Sequence, residues 1–336
     1  MADATEPNRD TSRPGPEVRD VNYYSGEGLA LYARDYGDRL QPWLPVICLP
    51  GLTRNHRDFD DLAVFLSSHR HRPRRVVCFD YRGRGRSAWD RNAENYNPLQ
   101  EMNDIFDGMA ALGISRAVAV GTSRGGIVAM LMGVARPATL AGIVLNDIGP
   151  TIEPLGLARI KTYVGRTPAP DDWDDAVRIL KRLHGAQFTA LNDRQWMDFA
   201  RKTYREENGR PVSDYDPALK QSFGGVDFDE PVPTMWREFH ALHSIPILAI
   251  RGANSDLLST STLAAMAAEH PLFESVAVPG EGHPPLLAGT NLPQRISSFI
   301  TGIEGSGPPI DAVVPSVPVD FDSDNSKDQA PESLPE

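Results

Sequence analysis

Short apolar runs separated by stretches of helical length set the pattern between residues 20 and 150. Val46–Leu49, Arg75–Phe79, Ala117–Val120 and Ile143–Asn146 are nearly continuous apolar runs of strand length. The stretches Phe59–Ser68, Leu99–Leu112 and Gly126–Ala135 between them carry helical spacing. Strands that lack a polar face and alternate with helices predict a parallel sheet covered on both sides. Ahead of them, Val21–Ser25 and Leu29–Asp35 bracket Gly26-Glu27-Gly28 and predict an antiparallel hairpin. From Pro150 to about Ser244 the β-rich runs stop, and spacings such as Trp173-Ala176-Val177-Ile179-Leu180 predict a helical insertion. The strand pattern resumes at Ile245–Ile250 and Ser275–Val278.

The ends of three strands carry the candidate chemistry. Gly121-Thr122-Ser123-Arg124-Gly125 joins the run ending at Val120 to the helical stretch from Gly126. A serine on such a sharp strand-to-helix turn is exposed as a nucleophile, and glycines beside it let neighbouring backbones approach. After Ile250 comes Arg251-Gly252-Ala253-Asn254-Ser255-Asp256, a turn ending in a carboxylate, and after Val278 comes Pro279-Gly280-Glu281-Gly282-His283. Serine, then acid, then histidine predicts Ser123 as nucleophile, Asp256 as acid and His283 as base. Asp147, which also follows a strand, competes with Asp256 and is assigned instead to the junction with the insertion. On that assignment, Asp256→Ala abolishes ester turnover and Asp147→Ala leaves the acyl step mostly intact.

Together these segments resemble the α/β-hydrolase superfamily over residues 20 to 302. Val46-Ile47-Cys48-Leu49-Pro50-Gly51-Leu52 looks like its strand and oxyanion loop, Asp80-Tyr81-Arg82-Gly83-Arg84-Gly85-Arg86-Ser87 like its D-x-R-G-x-G-x-S turn, and Gly142–Pro150 like the strand before its inserted cap. The resemblance implies a mostly parallel eight-stranded sheet, with core at 21–149 and 245–302 and a helical cap at 150–244. It also implies an oxyanion hole from the backbone amides of Leu52 and Arg124. Gly51 and the cap tryptophans Trp173, Trp196 and Trp236 are candidate substrate contacts. The arginine at 124 opposes the positive end of its own helix, so a carboxylate partner such as Asp80 or Asp147 is expected, with an anionic or carbonyl-rich substrate group as the alternative.

Two reactions fit this machinery: hydrolysis of a carboxylic ester or lactone, and cleavage of a carbon–carbon bond next to a ketone. The ester is preferred because Pro284-Pro285 follows His283, where many of the carbon–carbon hydrolases resembled carry a tryptophan. A ligand-binding sensor built on the same fold is the non-enzymatic alternative. Enzymes of this superfamily that attack through a carboxylate are excluded by Ser123.

Composition narrows the partners. The chain has 336 residues and a net charge of −11, which argues against nucleic acid. Much of the excess lies in residues 303–336, where eight acids face one lysine among six prolines, and a disordered tail is expected there. The polar residues 1–20 are likewise expected to be disordered. They lack the apolar segment of a secretory signal, and no run reaches the length of a membrane span, so a cytoplasmic protein is expected. Cys48 and Cys78 sit in strand-like runs and predict buried thiols rather than a disulfide framework. No cofactor or metal is implied: Gly83-x-Gly85-x-x-Ala88 formally fits a dinucleotide fingerprint, but Trp89-Asp90-Arg91-Asn92 follows where an apolar helix should begin, and His69-x-His71 sits among arginines. The sequence does not specify an oligomeric state.

Overall fold

In this computed structural model, residues 15–223, 232–288 and 291–305 are described. Strands β1 (Val18–Tyr24) and β2 (Ala30–Tyr36) form the opening hairpin, followed by β3 (Val46–Leu49), α1 (Asp60–Ser67), β4 (Val76–Asp80), α2 (Pro98–Ala111), β5 (Ala117–Thr122), α3 (Arg124–Ala135) and β6 (Leu140–Asn146). An insertion carries α4 (Pro154–Tyr163), α5 (Trp173–His184), α6 (Asp193–Thr203) and the hairpin β7 (Tyr204–Glu207) to β8 (Arg210–Ser213). The chain returns through α7 (Trp236–Ala241), β9 (Ile247–Gly252), α8 (Thr260–Glu269), β10 (Phe273–Val278) and α9 (Leu292–Gly305).

The expected sheet of eight strands forms, in the order β1-β2-β4-β3-β5-β6-β9-β10. It is antiparallel at β1-β2 and β2-β4 and parallel elsewhere. Every residue of β3, β4, β5, β6 and β9 is buried, as strands covered on both faces must be. Leu62 and Leu66 of α1 pack one face with Ile296, Phe299 and Ile300 of α9. Ile105 of α2, Val128 of α3, Phe239 of α7 and Met266 of α8 pack the other. Cys48 and Cys78 are buried, unbridged register partners.

The boundaries shift from those read in the sequence. Strand β1 begins at Val18 because Arg19 reaches Gly37 O and Asp20 accepts from Tyr32 Oη, so residues 18–20 belong to the sheet rather than to a disordered terminus. At the other end, Glu304 closes α9: it accepts from Leu44 N at 2.9 Å and pairs with Arg72 and Arg74. Residues 303–305 are therefore helix, and the rest of the expected tail, with residues 1–14, lies outside the described residues.

The insertion is not purely helical. Its hairpin turns at Asn208-Gly209, with φ of 52° and 78°, as a two-residue turn between twisted strands requires. The insertion also ends earlier than Ser244, because Phe239 and Leu242 are fully buried in the main core. Ala176, Leu180, Phe188, Trp196, Phe199, Ala200 and Tyr204 form a separate small core, so the insertion is a cap with packing of its own. Backbone bonds tie it down on both sides: Gly85 N to Asp214 O and Asp216 N to Gly83 O on one, Thr189 N to Gly280 O on the other.

Helix α3 leaves the sheet at very short range. A Cβ on Gly125 would stand 2.0 Å from Leu49 O and 2.9 Å from Pro50 O, both backbone atoms. One on Gly133, later in the helix, would meet the end of the Leu242 side chain, which can turn aside. Gly125→Ala is therefore expected to destabilise the protein by more than about 2 kcal/mol, and Gly133→Ala by less than about 1 kcal/mol. Urea unfolding of the two variants beside the parent chain checks this order.

Candidate active site

Three strand ends meet above the middle of the sheet, where β5, β6 and β9 are neighbours. Ser123 follows β5 with φ of 52° and ψ of −112°, a conformation costly for a residue with a side chain. It is held there because Ser123 N donates to Asn146 O at 3.0 Å, while Gly126 N and Ile127 N donate to Ser123 O. Glycines supply the clearance: a Cβ at Gly121 would meet Gly125 O at 2.4 Å, and one at Gly126 would meet Ile148.

The Ser123 hydroxyl lies 2.9 Å from Nε2 of His283. The other ring nitrogen, Nδ1, lies 2.9 Å from Oδ2 of Asp147. A carboxylate only accepts, so Nδ1 carries the proton and Nε2 is free to accept from the serine. His283 is 4% exposed and Asp147 fully buried, which keeps water from competing for this line. Asp147 is itself fixed from two sides, by Gly252 N to Oδ1 at 2.9 Å and Ser255 Oγ to Oδ2 at 2.6 Å.

The position expected of Asp256 is thus occupied by Asp147. Asp147 has a φ of 57°, a left-handed conformation that aspartate tolerates better than most residues, and it follows β6, which lies between the serine strand and β9. Asp256 lies one residue beyond Ser255 and faces the cap instead, where Arg159 of α4 grips it through Nε at 2.6 Å and Nη2 at 2.9 Å. Burial opposes the charge on Asp256, but the hydrogen bonds from Arg159 and Gln187 outweigh it and hold the carboxyl below its ordinary value.

The loop after β3 approaches the serine from the other side. Gly51 is buried, with the Thr122 carbonyl 3.9 Å from where its Cβ would be, and Leu52 follows it. This puts the Leu52 segment beside the start of α3, the neighbourhood expected of an oxyanion pair with Arg124. The Arg124 side chain pairs with neither Asp80 nor Asp147. Its Nε lies 2.7 Å from Glu101 Oε2, and its Nη2 donates to Tyr96 O. Asp80 is engaged by His56 and by Arg86 N, and Asp147 by His283, so neither was open to it.

Glu101 carries a second partner. Arg84 Nη2 stands 2.8 Å from Glu101 Oε1, and Arg84 Nε donates to Leu52 O at 2.7 Å. One buried carboxylate therefore joins the Leu52 loop to the first residue of α3. Burial works against its charge, and Arg124 and Arg84 together hold the Glu101 pKa down. Sequence reading missed Glu101, whose only signal is one acid in an amphipathic helix. It also missed Asn146, whose Nδ2 donates to Thr122 Oγ1 and to Pro285 O and so ties two strand ends to the histidine loop.

The three tryptophans expected as substrate contacts each have packing partners. Trp196 is buried in the cap core against Phe188 and Phe199, Trp173 lies half-buried under Arg201, and Trp236 bonds Thr151 and packs on Phe239 at the root of the cap.

Glu101→Gln leaves two buried guanidinium groups without a counter-charge. A loss of about 3–5 kcal/mol in stability is expected. In whatever fraction folds, turnover should fall with the Ser123–His283 pair intact; thermal unfolding combined with active-site titration checks both.

A sequence profile of the Alpha/beta hydrolase family matches residues 46–292, a span that includes the serine turn, Asp147 and His283. A 3-hydroxybutyrate-oligomer hydrolase of Cupriavidus necator is 31% identical over 300 residues, covering 85% of this chain and 98% of the relative. Among solved structures, an alpha/beta hydrolase from Novosphingobium aromaticivorans matches with a TM-score of 0.76 and 37% identity, over 86% of this chain and 99% of that one. E-2-(acetamidomethylene)succinate hydrolase, at 20% identity and a TM-score of 0.68 over 86% of this chain and 98% of its own, shares the fold. With the sheet, the serine turn and these matches in agreement, the chain belongs to the alpha/beta hydrolase family.

Proposed function

We propose that the protein is a serine hydrolase that cleaves a carboxylic ester through an acyl-enzyme, with Ser123 as nucleophile, His283 as base and Asp147 as acid. The observation that carries this reading is the unbroken line from Ser123 Oγ through the His283 ring to Asp147, with 2.9 Å at each step. A serine hydroxyl is a weak nucleophile near neutral pH, so His283 Nε2 takes its proton as Oγ bonds to the ester carbonyl. Asp147 keeps Nδ1 protonated and stabilises the imidazolium that results. Negative charge gathers on the former carbonyl oxygen, where the amides of Leu52 and Arg124 receive it; losing one such donor typically costs about 3 kcal/mol in the barrier.

His283 then gives the proton to the departing alcohol. Water enters, loses a proton to the same nitrogen, and its oxygen attacks the acyl carbonyl, releasing the acid and restoring Ser123. A lactone would follow the same course with the alcohol still tethered. The Cupriavidus relative directs the choice of substrate toward short esters of hydroxy acids, and a 3-hydroxybutyrate dimer is the first substrate to test. The three-part relay favours an enzyme over a sensor.

Turnover of p-nitrophenyl butyrate tests the assignment of roles. Ser123→Ala and His283→Ala are expected to lose at least about a thousandfold in kcat, and Asp147→Asn about as much, because the wrong tautomer is then presented to the serine. Asp256→Asn should lose less than about tenfold. The reverse order for the two aspartates would return the acid role to Asp256, and turnover of a β-diketone in preference to both esters would favour carbon–carbon cleavage.

A further inference from the structure

Two buried polar atoms of the cap have no partner among the described residues. Nη1 of Arg159 and Nδ1 of His184 are shielded from solvent without hydrogen-bond geometry to anything among the described residues. Leaving such a group unpaired is costly, and more so for a charged one. Both belong to the cap and both lie close to the chemistry. Asp256 takes Nε and Nη2 of Arg159, leaving Nη1 over, and the residue before Asp256 is the serine that bonds Asp147. Three residues beyond His184, Gln187 Oε1 accepts from His283 N, so the end of α5 leans on the histidine loop.

The surroundings of His184 are cationic and aromatic. Tyr163 and Phe199 flank the ring, each at 5.7 Å between centroids, and Arg54 lies over Phe199. Burial comes first in lowering its pKa, to about 3, and Arg159, Arg54 and His283 add to the effect. The imidazole is therefore neutral at working pH, and in its Nδ1–H tautomer it offers one N–H there. Arg54 is matched by Asp58, to which it donates at 2.8 Å from Nε. Arg159 is matched by Asp256 along one edge, and Tyr163, one turn on in α4, adds a hydrogen bond to the guanidinium, while Nη1 itself has no partner among the described residues.

We propose that Arg159 Nη1 and His184 Nδ1 form a cap subsite for a carboxylate carried by the substrate away from the scissile bond. The enzyme then selects monoanionic esters, such as half-esters and hydroxy-acid oligomers with a free acid end, over neutral esters of equal length. This rests on the serine-ester reading above and adds its substrate class. A charge-assisted bond from arginine is about twice as strong as a neutral one. An alkyl or methyl ester group in the same place leaves both donors buried and unpaired, the circumstance in which polar sites discriminate most strongly.

The test uses the full chain and two matched pairs. One pair has the acid on the acyl side, p-nitrophenyl hydrogen glutarate against p-nitrophenyl methyl glutarate. The other has it on the alcohol side, the 3-hydroxybutyrate dimer against its methyl ester, followed by 3-hydroxybutyrate release. In at least one pair the parent enzyme should prefer the acid by about tenfold or more in kcat/KM. The double variant Arg159→Gln/Asp256→Asn, which removes both charges together, should erase that preference through KM, as should His184→Phe, while Arg159→Lys should keep part of it. Equal handling of both pairs by the parent, or a preference that survives the substitutions, overturns the subsite. If Ser123 fails to label with a fluorophosphonate and none of the four esters turns over, the ester reading itself falls and the subsite with it.

Discussion

A backbone-to-backbone approach that only glycine permits governs the rest of the molecule. Where α3 leaves β5, Gly125 lies so close to the Leu49 carbonyl that any side chain would strike it. That contact fixes the distance between the Leu52 loop and the serine turn. Strain at Ser123 then persists because bonds to the end of β6 and along the first turn of α3 overdetermine it.

Charge is organised around the same contact. Glu101 is wholly buried between Arg84 and Arg124, one of which bonds Leu52 O while the other begins α3. A cation at a helix start is unfavourable by roughly 0.3–1 kcal/mol, and a buried carboxylate beside it removes that cost. The same pairing ties the Leu52 loop to the start of α3. Cap and core are joined by backbone bonds of Asp214 and Asp216 to the 83–85 turn and by the ion pairs Arg57–Asp214 and Arg159–Asp256.

Much of the scaffold was legible along the chain. Buried strands such as β3 and β5 are continuous apolar runs, and the glycines of the serine turn mark a place where backbones must touch. Ser123 was readable because it follows directly on such a strand, and His283 because it ends a Gly-rich loop just after the last strand, β10. The β7–β8 hairpin was not legible: Asn208-Gly209 is a hairpin signal, but four-residue strands with mostly exposed side chains leave no apolar alternation beside it. Nor was the extent of α7, because six residues cannot show whether they pack on the cap or on α3.

By itself, then, the sequence determined the sheet, the serine turn and which serine and histidine to propose as nucleophile and base, since local hydrophobicity and glycine sterics act between near neighbours in the chain. Tertiary structure alone decided which of two carboxylates meets the His283 ring. Asp147 and Asp256 each follow a strand, and the choice depends on the order β5-β6-β9, on the left-handed backbone at Asp147 and on an arginine reaching down from the cap to Asp256. It likewise decided that Glu101 would answer Arg124 across 23 residues of sequence, because electrostatic pairing in a buried interior follows proximity in space, which no local pattern encodes.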